Sequence, residues 1–162
     1  MPGIRSGRLG VRPVLAVALV SVLALVGSAC SKSAKTTPTY DVFVQKFRYH
    51  DFPSSIPGGN LIVNFSNKES DEITHEMVVI QLPSGKTKDD VIAAAKLTGD
   101  KSEDQWLHFG EIGETNTGAT VAGVFDLPAG TYALACWQTG NLGGGEGDAH
   151  AARGMVWQFT VT

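Results

Sequence analysis

The sequence predicts an all-β domain, a β-sandwich of about seven short strands with a short helical insertion near residues 86–107. Two observations favour this class. Short apolar runs, several of them alternating, are separated by turn residues in a chain that contains 19 Gly and 7 Pro. Helical spacing of apolar residues is confined to one region. A chain of 162 residues without an internal repeat fits one domain.

The first 29 residues are typical of an export signal. Residues 1–12 carry three Arg and no acid, and an apolar run follows over 14–26, too short for a bilayer that needs about 20 residues. The run ends in Val26-Gly-Ser-Ala-Cys30, which resembles a bacterial lipobox. We expect a lipoprotein signal peptide over 1–29, the lipidated Cys30 with a flexible tether over 30–38, and the folded domain over 39–162. The alternative is an ordinary signal peptide that is cleaved near Ala29.

Charge argues against one class of partner. Once the three leader Arg are removed, ten Lys and Arg face 16 Asp and Glu, a formal charge of −6. An acidic surface disfavours nucleic acid. It tolerates a basic protein partner, although surface acids often serve solubility alone.

The strands follow from apolar alternation and the turns between them. In chain order they are predicted at 40–47, 61–65, 73–82, 121–127, 132–136 and 155–161. The segments 58–60, 66–72 and 111–118 are predicted as a turn, a polar connection and a loop. His50 is expected where the chain turns, and residues 128–130 as a hairpin turn.

The helix is predicted over 86–97. Thr87 can cap its first turn, Asp89 and Asp90 favour that turn, and Gly99 ends it. A second short helical turn is expected at 102–105.

The residue types that can carry chemistry lie on apolar strands. If Cys30 carries lipid, Cys136 has no disulfide partner, and a lone thiol outside the cytoplasm is either buried and inert or used, for example as a metal ligand. With His75, His150 and Met155 it completes the ligand set of a mononuclear blue-copper site. Each residue alone also has an ordinary interpretation: a small buried hydrophobe, a surface or capping histidine, a core methionine.

Two motifs resemble those of a known family. Tyr132-Ala-Leu-Ala-Cys136 resembles the penultimate strand of plastocyanins, Tyr-x-Phe-x-Cys, and His150-Ala-Ala-Arg-Gly-Met155-Val resembles their His-x-x-x-Gly-Met-Val. His75, at the head of an apolar strand, resembles the first ligand. Over about 40–161 the chain thus resembles the cupredoxins, the plastocyanin and azurin type. The resemblance implies a Greek-key β-sandwich, no enzymatic activity and one type 1 copper ion held by His75, Cys136, His150 and Met155.

The chain departs from the family pattern in two places. Thirteen residues, five of them Gly, separate Cys136 from His150, where plastocyanins have only a couple. Such a loop could bulge outward and return His150 to the site, or leave it far away. Glu76 stands where Asn commonly ties the ligand segments together, and an ionised carboxylate cannot donate that hydrogen bond. We therefore expect the bracing to come from another source.

Several functions remain open at this point. The first is one-electron transfer by a monomer on the outer face of a bacterial membrane, with an apolar rim around His150 for a redox partner protein. The second is copper delivery or sequestration, with a copper donor or acceptor as partner. A metal-free binding module and a thiol enzyme that uses Cys136 are the others. His50 and His108 are expected in packing or at the surface, and Met77 in the core.

Overall fold

The computed structural model describes residues 36–140 and 147–162, which lie within one compact unit, 35–162. The predicted signal peptide, Cys30 and residues 31–35 of the tether lie outside the described residues. The predicted domain boundaries and the lipidation therefore stay predictions. Within the described ranges, no helix is long and apolar enough to cross a membrane.

The strands of the described region form two sheets. The first contains β1 (Thr39–Val44), β2 (Tyr49–His50), β4 (Gly59–Asn67) and β7 (Thr120–Leu127). The second contains β3 (Ser55–Ile56), β5 (His75–Gln81), β6 (Leu107–Thr115), β8 (Gly130–Ala135) and β9 (Val156–Val161). The strand orders are β2-β1-β4-β7 and β3-β9-β8-β5-β6, with parallel pairs β1–β4 and β3–β9. The predicted all-β sandwich is confirmed, with nine strands in the described ranges rather than about seven.

Side-chain alternation along β8 places the cysteine. Tyr132, Leu134 and Cys136 point into the core between the sheets, whereas Ala133 and Ala135 point to the outer face of the second sheet. This is the period-2 geometry of a strand that is buried on both faces. The predicted common face of the three residues is confirmed.

A single α-helix, α1 (Lys88–Thr98), covers the outer face of the second sheet. Thr87 caps it in a capping box with Asp90, and Gly99, at φ 64°, ends it. Val91 and Ala95 are buried against the sheet. A 3-10 helix (Gly99–Gln105) follows, so the predicted helical insertion is confirmed.

Four local predictions are wrong. Much of the predicted loop 111–118 belongs to β6, an edge strand whose exposed residues hide the apolar alternation. Residues 128–130 connect the two sheets and do not form a hairpin, because β7 pairs with β4 and β8 with β5 and β9. Gly59 and Asn60 already belong to β4, and His50 pairs with Phe43 in β2.

Candidate metal centre

Three side chains from distant parts of the chain meet at one end of the sandwich. His75 is the first residue of β5, Cys136 follows β8, and His150 begins a 3-10 helix, His150–Arg153. All three are fully buried. The Nδ1 atoms of the two histidines lie 3.0 Å apart, and Cys136 Sγ lies 3.8 Å from His75 Nδ1 and 3.4 Å from His150 Nδ1. Among the described residues, this is a group of side chains that could hold a metal ion.

The long segment after Cys136 returns to the site through a narrow neck. The Ala151 N–H donates to the Cys136 carbonyl at 2.7 Å, and the His150 N–H donates to the Gln138 carbonyl at 2.9 Å. A β-bridge joins Thr139 to Ala149. Residues 141–146 lie outside the described residues. Because the neck is closed by backbone hydrogen bonds, His150 does reach the site, which the sequence left open.

Hydrogen bonds on the outer side of both rings fix which nitrogen faces the centre. His75 Nε2 contacts a Glu69 carboxylate oxygen at 3.1 Å, and His150 Nε2 contacts the Gly140 carbonyl at 2.7 Å. Both partners are acceptors, so each neutral ring carries its proton on Nε2 and presents the Nδ1 lone pair inward. Two buried acceptor nitrogens then face each other beside a sulfur, an arrangement that a proton or a metal cation relieves.

The spacing of the three atoms fits a metal ion. Bonds of about 2.0–2.1 Å to nitrogen and about 2.3 Å to sulfur, spread in a trigonal plane, separate the nitrogens by about 3.5 Å and nitrogen from sulfur by about 3.8 Å. The observed triangle has sides of 3.0, 3.4 and 3.8 Å. Each ring needs to move outward by only a few tenths of an ångström, so the donor set fits a trigonal site of two nitrogens and one sulfur.

Glu69 links His75 to a surface turn. Its Oε1 accepts the Phe47 N–H and its Oε2 accepts the Lys46 N–H, both at 2.9 Å. Lys46 and Phe47 form the two-residue turn between β1 and β2, with φ of 54° and 55°, a conformation that L-residues adopt at a cost. Burial alone would raise the pKa of Glu69, but the hydrogen bonds from Phe47, Lys46 and His75 together lower it. The carboxylate therefore stabilises both the turn and the orientation of a ring in the centre.

Asn67 holds the connection that carries Glu69. This buried amide donates to the Ile73 carbonyl at 2.7 Å and to the Thr115 carbonyl at 2.8 Å. Its Oδ1 accepts the Glu69 N–H at 3.1 Å. The side chain thus joins the end of β4 to the segment just before β5 and to the end of β6, and it holds the backbone at Glu69.

Glu76 braces the cysteine segment as an acceptor. Its carboxylate accepts the Trp137 N–H at 2.7 Å and the Gln138 side-chain amide at 2.9 Å, and its own N–H points at Cys136 Sγ at 3.5 Å. The Tyr49 hydroxyl donates to the Glu76 carbonyl at 2.7 Å. The expectation that the bracing must come from another residue is wrong, because the donors come from the cysteine segment instead.

Phe47 covers both histidines. Its ring lies edge-on to the rings of His75 and His150, with centroids 5.4 and 4.8 Å apart, and the Arg153 guanidinium lies 4.6 Å from its centroid. His150 is fully buried and its Nε2 faces Gly140. The predicted apolar rim around His150 for a partner stays a prediction, and the Phe47 ring is the apolar side chain found over His150 among the described residues. On this side, a half-buried aromatic ring separates the centre from the surface.

Burial sets the protonation of the three candidate ligands. It lowers the pKa of His150 to about 4 and lowers the pKa of His75, with Glu69 partly opposing the latter effect. It also raises the pKa of the Cys136 thiol far above its usual range, and the negative charge of Glu76 adds to this. Without metal the centre is thus a neutral thiol with two neutral imidazoles. An activated cysteine needs a lowered pKa and access to solvent, so these properties argue against the thiol-enzyme hypothesis.

The other methionines and histidines singled out in the sequence lie in the core or away from the three candidate ligands. Met155 is fully buried in the same core cluster as Cys136, and its N–H donates to the His150 carbonyl at 3.1 Å; its role as a ligand stays a prediction. Met77 is in the core, as predicted. The His50 ring stacks on Phe43, and His108 Nε2 contacts the Glu103 carbonyl, so neither belongs to the His75–Cys136–His150 group.

Three residues of the site were missed in the sequence. Glu69 and Asn67 lie at or within what reads as a polar connection, and Phe47 at the end of a predicted strand. Their roles depend on contacts with residues that are distant in the chain, which no local pattern encodes. The positive-φ turn gave no signal either, because it contains no glycine.

Comparison with solved structures identifies the fold. No protein-family model matches the chain, and no curated protein matches it. Many solved structures match, among them the following three. The first is a reduced auracyanin from the photosynthetic bacterium Roseiflexus castenholzii, 20% identical, covering 78% of this chain and 98% of that chain at a TM-score of 0.57. The second is an auracyanin B, 22% identical, with coverages of 78% and 91% and a TM-score of 0.54. The third is an azurin from Methylomonas sp. strain J, 15% identical, with coverages of 78% and 98% and a TM-score of 0.50. The chain has the cupredoxin fold that the sequence predicts.

Proposed function

We propose that this chain is an exported, lipid-anchored copper protein that transfers one electron at a time through a type 1 site. The observation that carries the proposal is the convergence of two inward-facing Nδ1 atoms and one thiol sulfur in a buried triangle whose sides fit a trigonal ion. Two imidazoles and a cysteine, with a methionine as a weak further ligand, are the donor set of blue-copper electron-transfer sites.

Each residue has a defined task in this proposal. His75 and His150 supply neutral nitrogens and Cys136 supplies a thiolate, so copper binding releases the thiol proton. Met155 would supply its thioether sulfur as a weak further ligand. Copper, when bound, supplies the chemistry by alternating between Cu(I) and Cu(II).

The bracing supports electron transfer over copper delivery. His75 is held by Glu69, His150 by Gly140, and the cysteine segment by the Glu76 carboxylate. A donor set held by so many hydrogen bonds changes little between two oxidation states, and it releases metal slowly. A delivery protein benefits from the opposite. We therefore favour a monomeric electron carrier on the outer face of a bacterial membrane, rather than an enzyme or a copper chaperone.

The test is a copper titration of residues 31–162, which contain the whole compact unit. The reduced, metal-free protein is titrated with Cu(II) while the visible spectrum is recorded. We expect an intense thiolate-to-copper charge-transfer band that saturates at one copper per chain, and a reversible one-electron couple by voltammetry. Cys136→Ser and His150→Ala abolish the band, whereas His108→Ala, the matched histidine control, leaves it intact.

The proposed role of Met155 as a ligand is tested with a matched pair of variants. Met155→Leu and Met77→Leu remove the same sulfur from two buried core positions at nearly constant volume. We expect Met155→Leu to shift the band and the potential, and Met77→Leu to leave both unchanged. Copper binding without the band, unaffected by Cys136→Ser, would refute the proposed site. A normal band with rapid loss of copper to a chelator would favour copper delivery.

A further inference from the structure

The turn above the centre carries a concentration of positive charge. Lys46 and Arg48 flank Phe47 in the turn between β1 and β2, and all three side chains reach the surface. Lys68 is held beside the same turn, because its N–H donates to the Val44 carbonyl and its ammonium lies 3.9 Å from the Phe43 ring centroid. The Arg153 guanidinium lies over Phe47 itself.

This charge is unusual for the chain. The described ranges contain eight Lys and Arg, and four of them lie at this one turn, although acids outnumber bases after the leader. Glu69, the acid that contacts the turn, is almost buried, and both its oxygens already accept hydrogen bonds. The turn therefore presents mainly cations to an approaching partner.

The opposite sign dominates beside the cysteine segment. Asp100, Glu103 and Glu114 line a depression that also includes Glu76 and Trp137. Charges of one sign on one side of the centre and of the other sign on the other side orient an approaching charged protein. An acidic partner is attracted to the turn and repelled from the depression.

The turn is also the place where a partner can approach the candidate ligands. Phe47 contacts both imidazoles edge-on, and its outer side carries only Arg153 among the contacts described above. A protein that rests on this surface is separated from the two histidines by one aromatic ring. Such proximity matters for electron exchange, because its rate falls steeply with distance.

We propose that Lys46, Phe47, Arg48, Lys68 and Arg153, the basic turn surface, form the docking site for the acidic face of a redox partner protein. The inference rests on the proposed electron-transfer function, and it names the partner's charge and the surface that the partner uses. The overall acidic charge of the chain only tolerated a basic partner, whereas this local surface favours an acidic one.

The experiment measures the oxidation of the reduced copper protein by two small oxidants of opposite charge, the anion ferricyanide and the cation tris(phenanthroline)cobalt(III). The double variant Lys46→Glu/Arg48→Glu is compared with Lys96→Glu/Lys101→Glu, which makes the same change in net charge at exposed positions on α1 and the following 3-10 helix. At low ionic strength we expect the first variant to be oxidised by ferricyanide about tenfold more slowly and by the cationic oxidant faster than wild type. Its oxidation rates should also lose most of their dependence on salt concentration. The control should change each rate by less than about twofold.

A second readout uses the metal-free protein. A peptide of ten glutamates at low salt should shift the backbone amide resonances of residues 45–48, 68 and 153, and not those of α1. Shifts that concentrate on α1, or none at all, would contradict the proposal.

The outcomes separate the two proposals. A chain without the charge-transfer band overturns the proposed function and the docking role together. A chain with the band and a reversible couple, whose rates respond equally to both double variants, overturns the docking surface alone. Binding to phosphatidylglycerol vesicles that is lost in Lys46→Glu/Arg48→Glu, with unchanged ferricyanide rates, would assign the surface to lipid headgroups and also refute the proposal.

Discussion

Replacing Glu69 with glutamine tests whether one carboxylate holds both the surface turn and the first histidine. Its oxygens accept hydrogen bonds from Lys46, Phe47 and His75 at 2.9, 2.9 and 3.1 Å. If the glutamine oxygen occupies the Oε1 position, it still accepts the hydrogen bonds from Phe47 and His75, but as an uncharged acceptor. The glutamine NH2 group then faces the Lys46 N–H, so that two donors oppose each other. Hydrogen bonds to charged groups contribute about 1.5–3 kcal/mol each, and the exposed Lys46 N–H regains water. We expect Glu69→Gln to lower the free energy of unfolding by about 2 kcal/mol.

The assay is urea unfolding of the reduced, metal-free protein at neutral pH, which makes the result independent of copper. Glu72→Gln is the matched control, since Glu72 is an exposed acid in the same connection. The pH dependence gives a second measure. Because the pKa of Glu69 is lowered in the folded state, the unfolded state takes up the proton first as the pH falls. The advantage of wild type over Glu69→Gln is therefore complete above about pH 5 and shrinks as the pH falls toward about 3.

Two results would refute this reasoning. One is a Glu69→Gln protein within about 0.5 kcal/mol of wild type at neutral pH, which is the range of an ordinary surface substitution. The other is a stability difference that stays constant as the pH is lowered.

Three further predictions concern the stability of the metal-free protein. Asn67→Ala removes the amide that donates to the Ile73 and Thr115 carbonyls and leaves Ile73 with only the Thr117 hydroxyl at 3.2 Å, and we expect a loss of about 2–3 kcal/mol in urea unfolding. Gly123→Ala places a methyl group 2.7 Å from a side-chain carbon of Ile112, and we expect a loss of about 1–3 kcal/mol, measured as a lower Tm. Burial lowers the pKa of His150 to about 4, so the metal-free protein loses stability as the pH falls from about 6.5 toward that value, and His150→Gln reduces this dependence in urea unfolding.

Each of these three predictions has a control measurement that could contradict it. Asn64→Ala removes an exposed amide that bonds only Asp41 among the contacts described, and it should cost much less than Asn67→Ala. Gly113→Ala adds the same methyl group where no atom lies within 4 Å, and a Tm as low as that of Gly123→Ala would contradict the steric argument. Equal pH slopes for wild type and His150→Gln would contradict the histidine argument.

Local patterns in the sequence were sufficient for the framework of the fold. Thr87, Asp90 and Gly99 fix the ends of α1 through contacts within one or two turns, so their effect can be read from neighbouring residues. The alternation of Tyr132, Leu134 and Cys136 likewise needs only the period of a strand. β6 was missed because an edge strand with mostly exposed residues has no apolar periodicity.

The meeting of His75, Cys136 and His150 required more than local patterns. The order of the residues matched a family motif, but only the neck around Thr139 and Ala149 decides whether His150 returns to the centre. The supporting carboxylates were not predicted, because both act through contacts far along the chain: 61 positions separate Glu76 from Trp137, and 22 separate Glu69 from Phe47. From the sequence alone, a carboxylate in a polar segment that faces solvent cannot be distinguished from one that hydrogen-bonds a histidine ring.

The pairing of β3 with β9 ties one of the first strands to the last. Ser55 lies opposite Thr160 and Ile56 opposite Val161, and β9 occupies the position between β3 and β8 in its sheet. A growing chain therefore cannot complete the second sheet until β9 (Val156–Val161) has emerged from the ribosome, and contacts of such long range make folding slow. Cys136 shares its core cluster with Phe159 and Val161 of β9, so its burial is complete only after β9 has been made.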